Sequence, residues 1–85
     1  MEDKDRVEKY EQLMLIDSAI NIYRENCIKS MDQDNDVCAR NINNILIRNC
    51  DAILEKNRIE EDKIDKYFSK KGQSLGKIFA EKYGA

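Results

Sequence analysis

Three aspartates at alternate positions, Asp32, Asp34 and Asp36, come nearest in this chain to the spacing of a metal site. Carboxylate oxygens at every second residue of a turn can surround a calcium ion. The twelve-residue calcium loop also needs a glycine at its sixth position for the sharp turn and a bidentate glutamate at its twelfth. Counted from Asp32, those positions hold Val37 and Asn43. The three acids therefore read as helix caps and as partners of a helix dipole, with Asp34 or Asp36 at the cap itself. No metal site is expected.

Other chemistry finds as little footing. The chain has no histidine, the usual general base near neutral pH. It has no glycine-rich phosphate loop and no serine in a nucleophile-elbow context. Glu60, Glu61 and Asp62 read as a charged, solvated surface. Cys27, Cys38 and Cys50 are odd in number and lack the spacing of a disulfide framework or a zinc site. They read as reduced thiols serving as small apolar residues, with a Cys27–Cys38 bridge across a helical turn as the alternative. No catalytic residue and no cofactor is assigned, and the chain is read as non-enzymatic.

Charge is distributed unevenly. Residues 1–62 hold nine Lys and Arg against fifteen Asp and Glu, a net charge of −6; residues 63–85 hold six lysines and two acids, a net charge of +4. In the basic segment Lys66, Lys70, Lys71, Lys77 and Lys82 interleave with Tyr67, Phe68, Phe79 and Tyr83. Such a segment can meet an acidic protein partner or subunit, hold single-stranded nucleic acid or a small anionic ligand such as a nucleotide shared between subunits, or lie on an acidic membrane surface. The simpler reading packs the aromatics inward and leaves the lysines outside. Arginine, which favours bidentate recognition of bases and phosphates, is absent from this segment, so nucleic-acid binding is the weaker alternative.

The elements that would position these residues are helices. The chain has no proline, and its three glycines, Gly72, Gly76 and Gly84, all lie near the C-terminus. Isoleucine and leucine spread through charged sequence give helical periodicity. The spacing predicts a first helix over about 5–30, with Leu13, Ile16, Ile20, Tyr23 and Cys27 as a packing seam and Leu15 and Ile22 on another side. A turn follows over 31–36. A second helix is predicted over about 37–56, with apolar residues from Cys38 to Leu54 spread over about 220°, far wider than one neighbour covers. Asn49 lies near the middle of that arc, bonded locally or at an edge, or else pairing with a partner amide to fix register. The pattern then slips, predicting a third helix over about 59–70. Gly72 reads as a C-cap, followed by a short basic helix or a continuation over about 74–83.

The expected fold class is all-α: a small bundle of three helices, or four if the last segment stands apart. It forms a helical hairpin plus a C-terminal helix in one domain over residues 1–85 and is expected to be oligomeric. No stretch approaches the length of a membrane span, and the charged, mixed-sign N-terminus is unlike a signal peptide. The expected function is a cytoplasmic protein–protein interaction module, a regulator, adaptor or inhibitor of an unidentified partner protein, acting as a homo-oligomer. Its interaction surface is expected to draw on Leu15, Ile22, Ile45, Leu46, Asn49, Ile53 and Leu54.

Overall fold

The computed structural model describes residues 1–33 and 35–84, and these form three helices: α1 over Asp3–Gln33, α2 over Val37–Lys70 and α3 over Leu75–Tyr83. α1 and α2 lie antiparallel as one long hairpin. The molecule measures 52 × 24 × 16 Å, so over most of its length it is a single layer of two helices.

Each helix end has a local cause. Asp3 and Asp5 place negative charge at the positive end of the α1 dipole. The Asp36 carboxylate accepts the Cys38 backbone N–H at 3.0 Å and caps α2; Asp34, the alternative cap, lies outside the described residues. At the far end of α2, Gln73 N–H bonds the Phe68 carbonyl at 2.9 Å and Gly72 N–H bonds the Ser69 carbonyl at 3.0 Å. Gly72 has φ of 72°, so the pair forms a Schellman turn that reverses the chain into α3. Ser74 stands at the α3 N-cap, but only its carbonyl is used there, by Ile78 N–H at 3.0 Å.

Two boundaries differ from those the sequence predicts. Met31 to Gln33 extend α1, shortening the turn. More importantly, there is no break at Asn57–Arg58: residues 37–70 form one helix. The seam facing α1 runs through Leu54, Asn57, Glu61, Ile64 and Phe68, all buried or half-buried, at unbroken three- and four-residue intervals. Asn57 and Glu61 occupy two of these steps, so hydrophobicity alone shows a slip where the helix has none. On α1 the seam is likewise Leu13, Asp17, Ile20, Arg24 and Cys27, whereas Ile16 and Tyr23, expected within it, are exposed.

The polar seam residues have partners across the hairpin. Asn57 Nδ2 donates to Asp17 Oδ1 at 2.9 Å, Arg24 Nε bonds Asp51 Oδ1 at 2.7 Å and Lys9 Nζ bonds Glu60 Oε2 at 3.2 Å. Together they fix the register of the two helices.

The apolar core is confined to the open end of the hairpin. Val7, Ile64, Phe68 and Leu75 form it, with Tyr10, Leu13, Tyr67, Ile78 and Phe79 packed around them. Phe68 is only 1% exposed. Asp3 clasps this end by accepting from the Tyr67 hydroxyl at 2.7 Å and from Lys71 Nζ at 2.6 Å. The Arg6 guanidinium lies 3.8 Å from the Tyr67 ring centre. Nearer the turn, among the described residues, only the small side chains Cys27 and Cys50 are buried.

Candidate functional site

The feature that stands out is an unpaired apolar face on the half of the hairpin nearest the turn. Its origin is the angular order of the residues. At 100° per residue, the exposed side of α1 between Leu15 and Ser30 has an arc of about 160° without a charged side chain, and α2 has a similar arc between Cys38 and Leu54.

The Arg24–Asp51 ion pair fixes how these arcs relate. Arg24 and Asp51 meet on one side of the hairpin. Tyr23 and Ile16 on α1, and Ile42, Asn49 and Ile53 on α2, point to the other side, where the two arcs merge into one surface. Ile42 is 58% exposed and Ile45, on its outer margin, 57%. Tyr23 lies beside the buried Cys27 and Cys50, at the same level along the hairpin as Asn49; the Cys27 sulfur, then desolvation, holds its phenol above the ordinary value. Toward the open end the face is bounded by Lys56 and by the Lys9–Glu60–Lys63 group, in which both lysines bond Glu60 at 3.2 Å.

The predicted interaction residues do not form one surface. Ile45, Asn49 and Ile53 are exposed on this face, and half-buried Leu46 forms its floor. Leu54 is half-buried in the seam toward α1. Leu15 and Ile22, 72% and 64% exposed, lie at the outer edge of the charge-free arc of α1, on the side away from α2. The broad arc of α2 is covered by α1 along only one side, so within a single chain this helix is not wrapped on most sides. Ile16 and Tyr23 are the residues that the sequence reading assigned elsewhere; only the polar seam pairs, visible once the hairpin is formed, release them to the surface.

The basic segment looks different in three dimensions. Lys71 is paired with Asp3, and Lys82 with Glu11 at 2.8 Å, while Lys66, Lys70 and Lys77 are exposed. Phe68 is buried, and Tyr67 and Phe79 pack on the core, with the Tyr10 and Phe79 rings 5.8 Å apart. Tyr83 alone of the segment's aromatics is exposed, so a run of stacking platforms is not presented to a nucleic-acid strand.

Two further features of the hairpin have the form of sites. A groove of about 420 Å³ runs between the start of α1 and α3, with Val7, Phe68 and Ile78 along it and Asp3, Lys4, Glu8 and Lys82 at its edges. Its edge charges are mixed in sign, and Asp3 and Lys82 are held in ion pairs. The second feature is Glu61, which turns inward rather than lying on a solvated surface. Its buried Oε2 has no hydrogen-bond partner. Burial, a hydrogen bond with Asp17 and the nearby charges of Asp17 and Asp62 push its carboxyl up to about 7.

All three cysteines are free, so no Cys27–Cys38 bridge forms; Cys27 and Cys50 are buried and Cys38 is exposed. Among the described residues, no three His, Cys, Asp or Glu side chains gather as metal ligands, and no helix is long and apolar enough to cross a membrane. No protein-family model matches the chain, and neither a curated protein nor a solved structure matches it.

Proposed function

We propose that this chain is a non-enzymatic helical interaction module of the cytoplasm that binds and modulates a partner protein, and that it acts as a homo-oligomer. The observation that carries this reading is the charge-free face shared by α1 and α2. An apolar surface of this extent, continuous across two helices and rimmed by lysines, is costly to leave in water and suits a docking surface. The three free thiols support a reducing compartment. The regulator, adaptor or inhibitor role is supported by the face itself, which offers a surface for another protein to dock on.

Affinity capture on the immobilised chain tests the reading. Ile42→Asp and Ile53→Asp should lose the protein that the parent chain retains, while Lys66→Asp on the basic segment should keep it. Equal capture by all these variants would remove the face from the function.

A further inference from the structure

We propose that the charge-free face is the interface of an antiparallel two-fold dimer of this chain, with Asn49 on the axis opposite its own counterpart in the second copy. The inference rests on the homo-oligomer proposed above and assigns the face to a second copy; the partner protein then docks on the assembled dimer, so Ile42→Asp loses its capture by dispersing that dimer.

The first argument is area. A compact monomer of 10.0 kDa should expose about 5,200 Å². This chain exposes 6354 Å². The excess of about 1,100 Å² is comparable to the ~800 Å² that each partner buries in a standard stable interface. The radius of gyration leads the same way: 17.1 Å, against about 12 Å for a compact domain of this length. A single layer 16 Å thick lacks the second layer that ordinarily closes a helical core. A second hairpin supplies a layer of matching width and completes a four-helix bundle.

The second argument is self-complementarity. An isologous interface needs a surface that fits itself under a two-fold rotation. Along the exposed side of α2, Ile42, Ile45, Asn49, Ile53 and Lys56 fall at −7, −4, 0, +4 and +7 from Asn49. Antiparallel packing of α2 on its copy places Ile45 against Ile53 twice and pairs the two amides at the centre. It also lays the Lys56 stem over Ile42 with its ammonium free to reach water. The Asn49 side chain is exposed, and none of the side-chain hydrogen bonds among the described residues engages it. An amide at the centre of an apolar interface fixes register by pairing with its own image.

Charge disfavours the parallel alternative. The turn end carries Asp32 and Asp36. With the axis at Asn49, the turn of one copy reaches the level of residue 62 in the other, where Lys9 and Lys63, both bonded to Glu60, lie near Glu61 and Asp62 and the charge is mixed in sign. A parallel arrangement would instead stack acidic turn on acidic turn.

Sedimentation equilibrium and disulfide trapping test the proposal together. The parent chain should be a dimer at micromolar concentration, and Ile45→Asp should raise the dimer Kd at least ~30-fold, because it sets a carboxylate against Ile53 of the second copy. That position is exposed in the single chain, so far-UV helicity should persist. In a Cys38→Ser background, Asn49→Cys should form an intermolecular disulfide under mild oxidation. The parent Cys38 should not, because antiparallel packing separates the two copies of Cys38 by about 33 Å along the helix axis. A monomer at 100 µM, a different stoichiometry, or ready cross-linking through Cys38 would overturn the proposal. A monomer that still loses its captured protein on Ile42→Asp would sink the dimer and leave the proposed function standing. A trapped dimer whose capture is indifferent to Ile42→Asp would do the reverse.

Discussion

Glu61 on α2 meets Asp17 on α1, two acids face to face within the seam of the hairpin. Asp17 is held there by the Asn57 amide at 2.9 Å; burial first, then the hydrogen bond and charge of Asp17, favour the protonated form of Glu61. Its carboxyl is raised to about 7 from an ordinary 4.5. The folded state therefore binds more protons than the unfolded chain between those values. This contribution to stability is complete below about pH 4.5 and is lost as pH rises through about 7. Urea titrations at pH 5 and pH 8 should differ in this direction, by on the order of 1 kcal/mol after allowing for partial solvent screening. Glu61→Gln should flatten the dependence and make the chain more stable at pH 8. A parent stability that rises between pH 5 and pH 8, with no change in Glu61→Gln, would contradict the arrangement.

Phe68 should be the most sensitive core position. It is buried among Val7, Ile64 and Leu75 and joins all three helices. Phe68→Ala should cost about 3–5 kcal/mol, a large share of the stability of a chain this small. Denaturant midpoints with an unchanged slope would measure it. A loss below 1 kcal/mol would mean that α3 does not cover this residue in solution.

Gly72 separates backbone strain from packing. A Cβ added there meets nothing within 4 Å, so a substitution creates no clash. The residue nonetheless sits at φ of 72°, which an L side chain adopts at a cost of about 1–2 kcal/mol. Gly72→Ala should destabilise by about that amount, while Gly72→Asn, better tolerated in this region, should lose less. Equal losses in thermal melts would count against the left-handed turn.

Protection against hydrogen exchange should be uneven along the hairpin. The core cluster and the Asp3 clasp lie at the open end, whereas among the described residues only Cys27 and Cys50 are buried nearer the turn. Amides of residues 20–50 should therefore exchange faster than those of 60–70 in the Ile45→Asp variant, and slow in the parent chain as its concentration rises. Uniform, concentration-independent protection in both proteins would argue that this half needs no cover.

The helical class, the turn near residue 35, the Asp36 cap and the Gly72 reversal were legible in the sequence because each depends on residues adjacent in the chain. The path of the seam was not. Asp17, Arg24, Asn57 and Glu61 look like surface residues when judged by polarity, and all four find hydrogen-bonding side chains across the hairpin. Reading hydrophobicity alone therefore put Ile16 and Tyr23 inside and split α2 at Asn57. The same substitution hid the site, since polar residues at buried steps leave apolar residues over for the surface. Asn49, Ile45 and Ile53 could be anticipated because the excess width of the α2 arc is a property of that helix alone.

The single short connection between α1 and α2 has a consequence for the order of events in folding. Contacts beside the turn close the smallest loops and so form with the least entropy loss, yet they bring together few apolar groups. Contacts between Val7 and Ile64 close a loop spanning most of the chain and anchor the core. Speed and strength are thus placed at opposite ends of one zipper. Nucleation near the turn should be fast and reversible, and the molecule becomes committed when the open end latches.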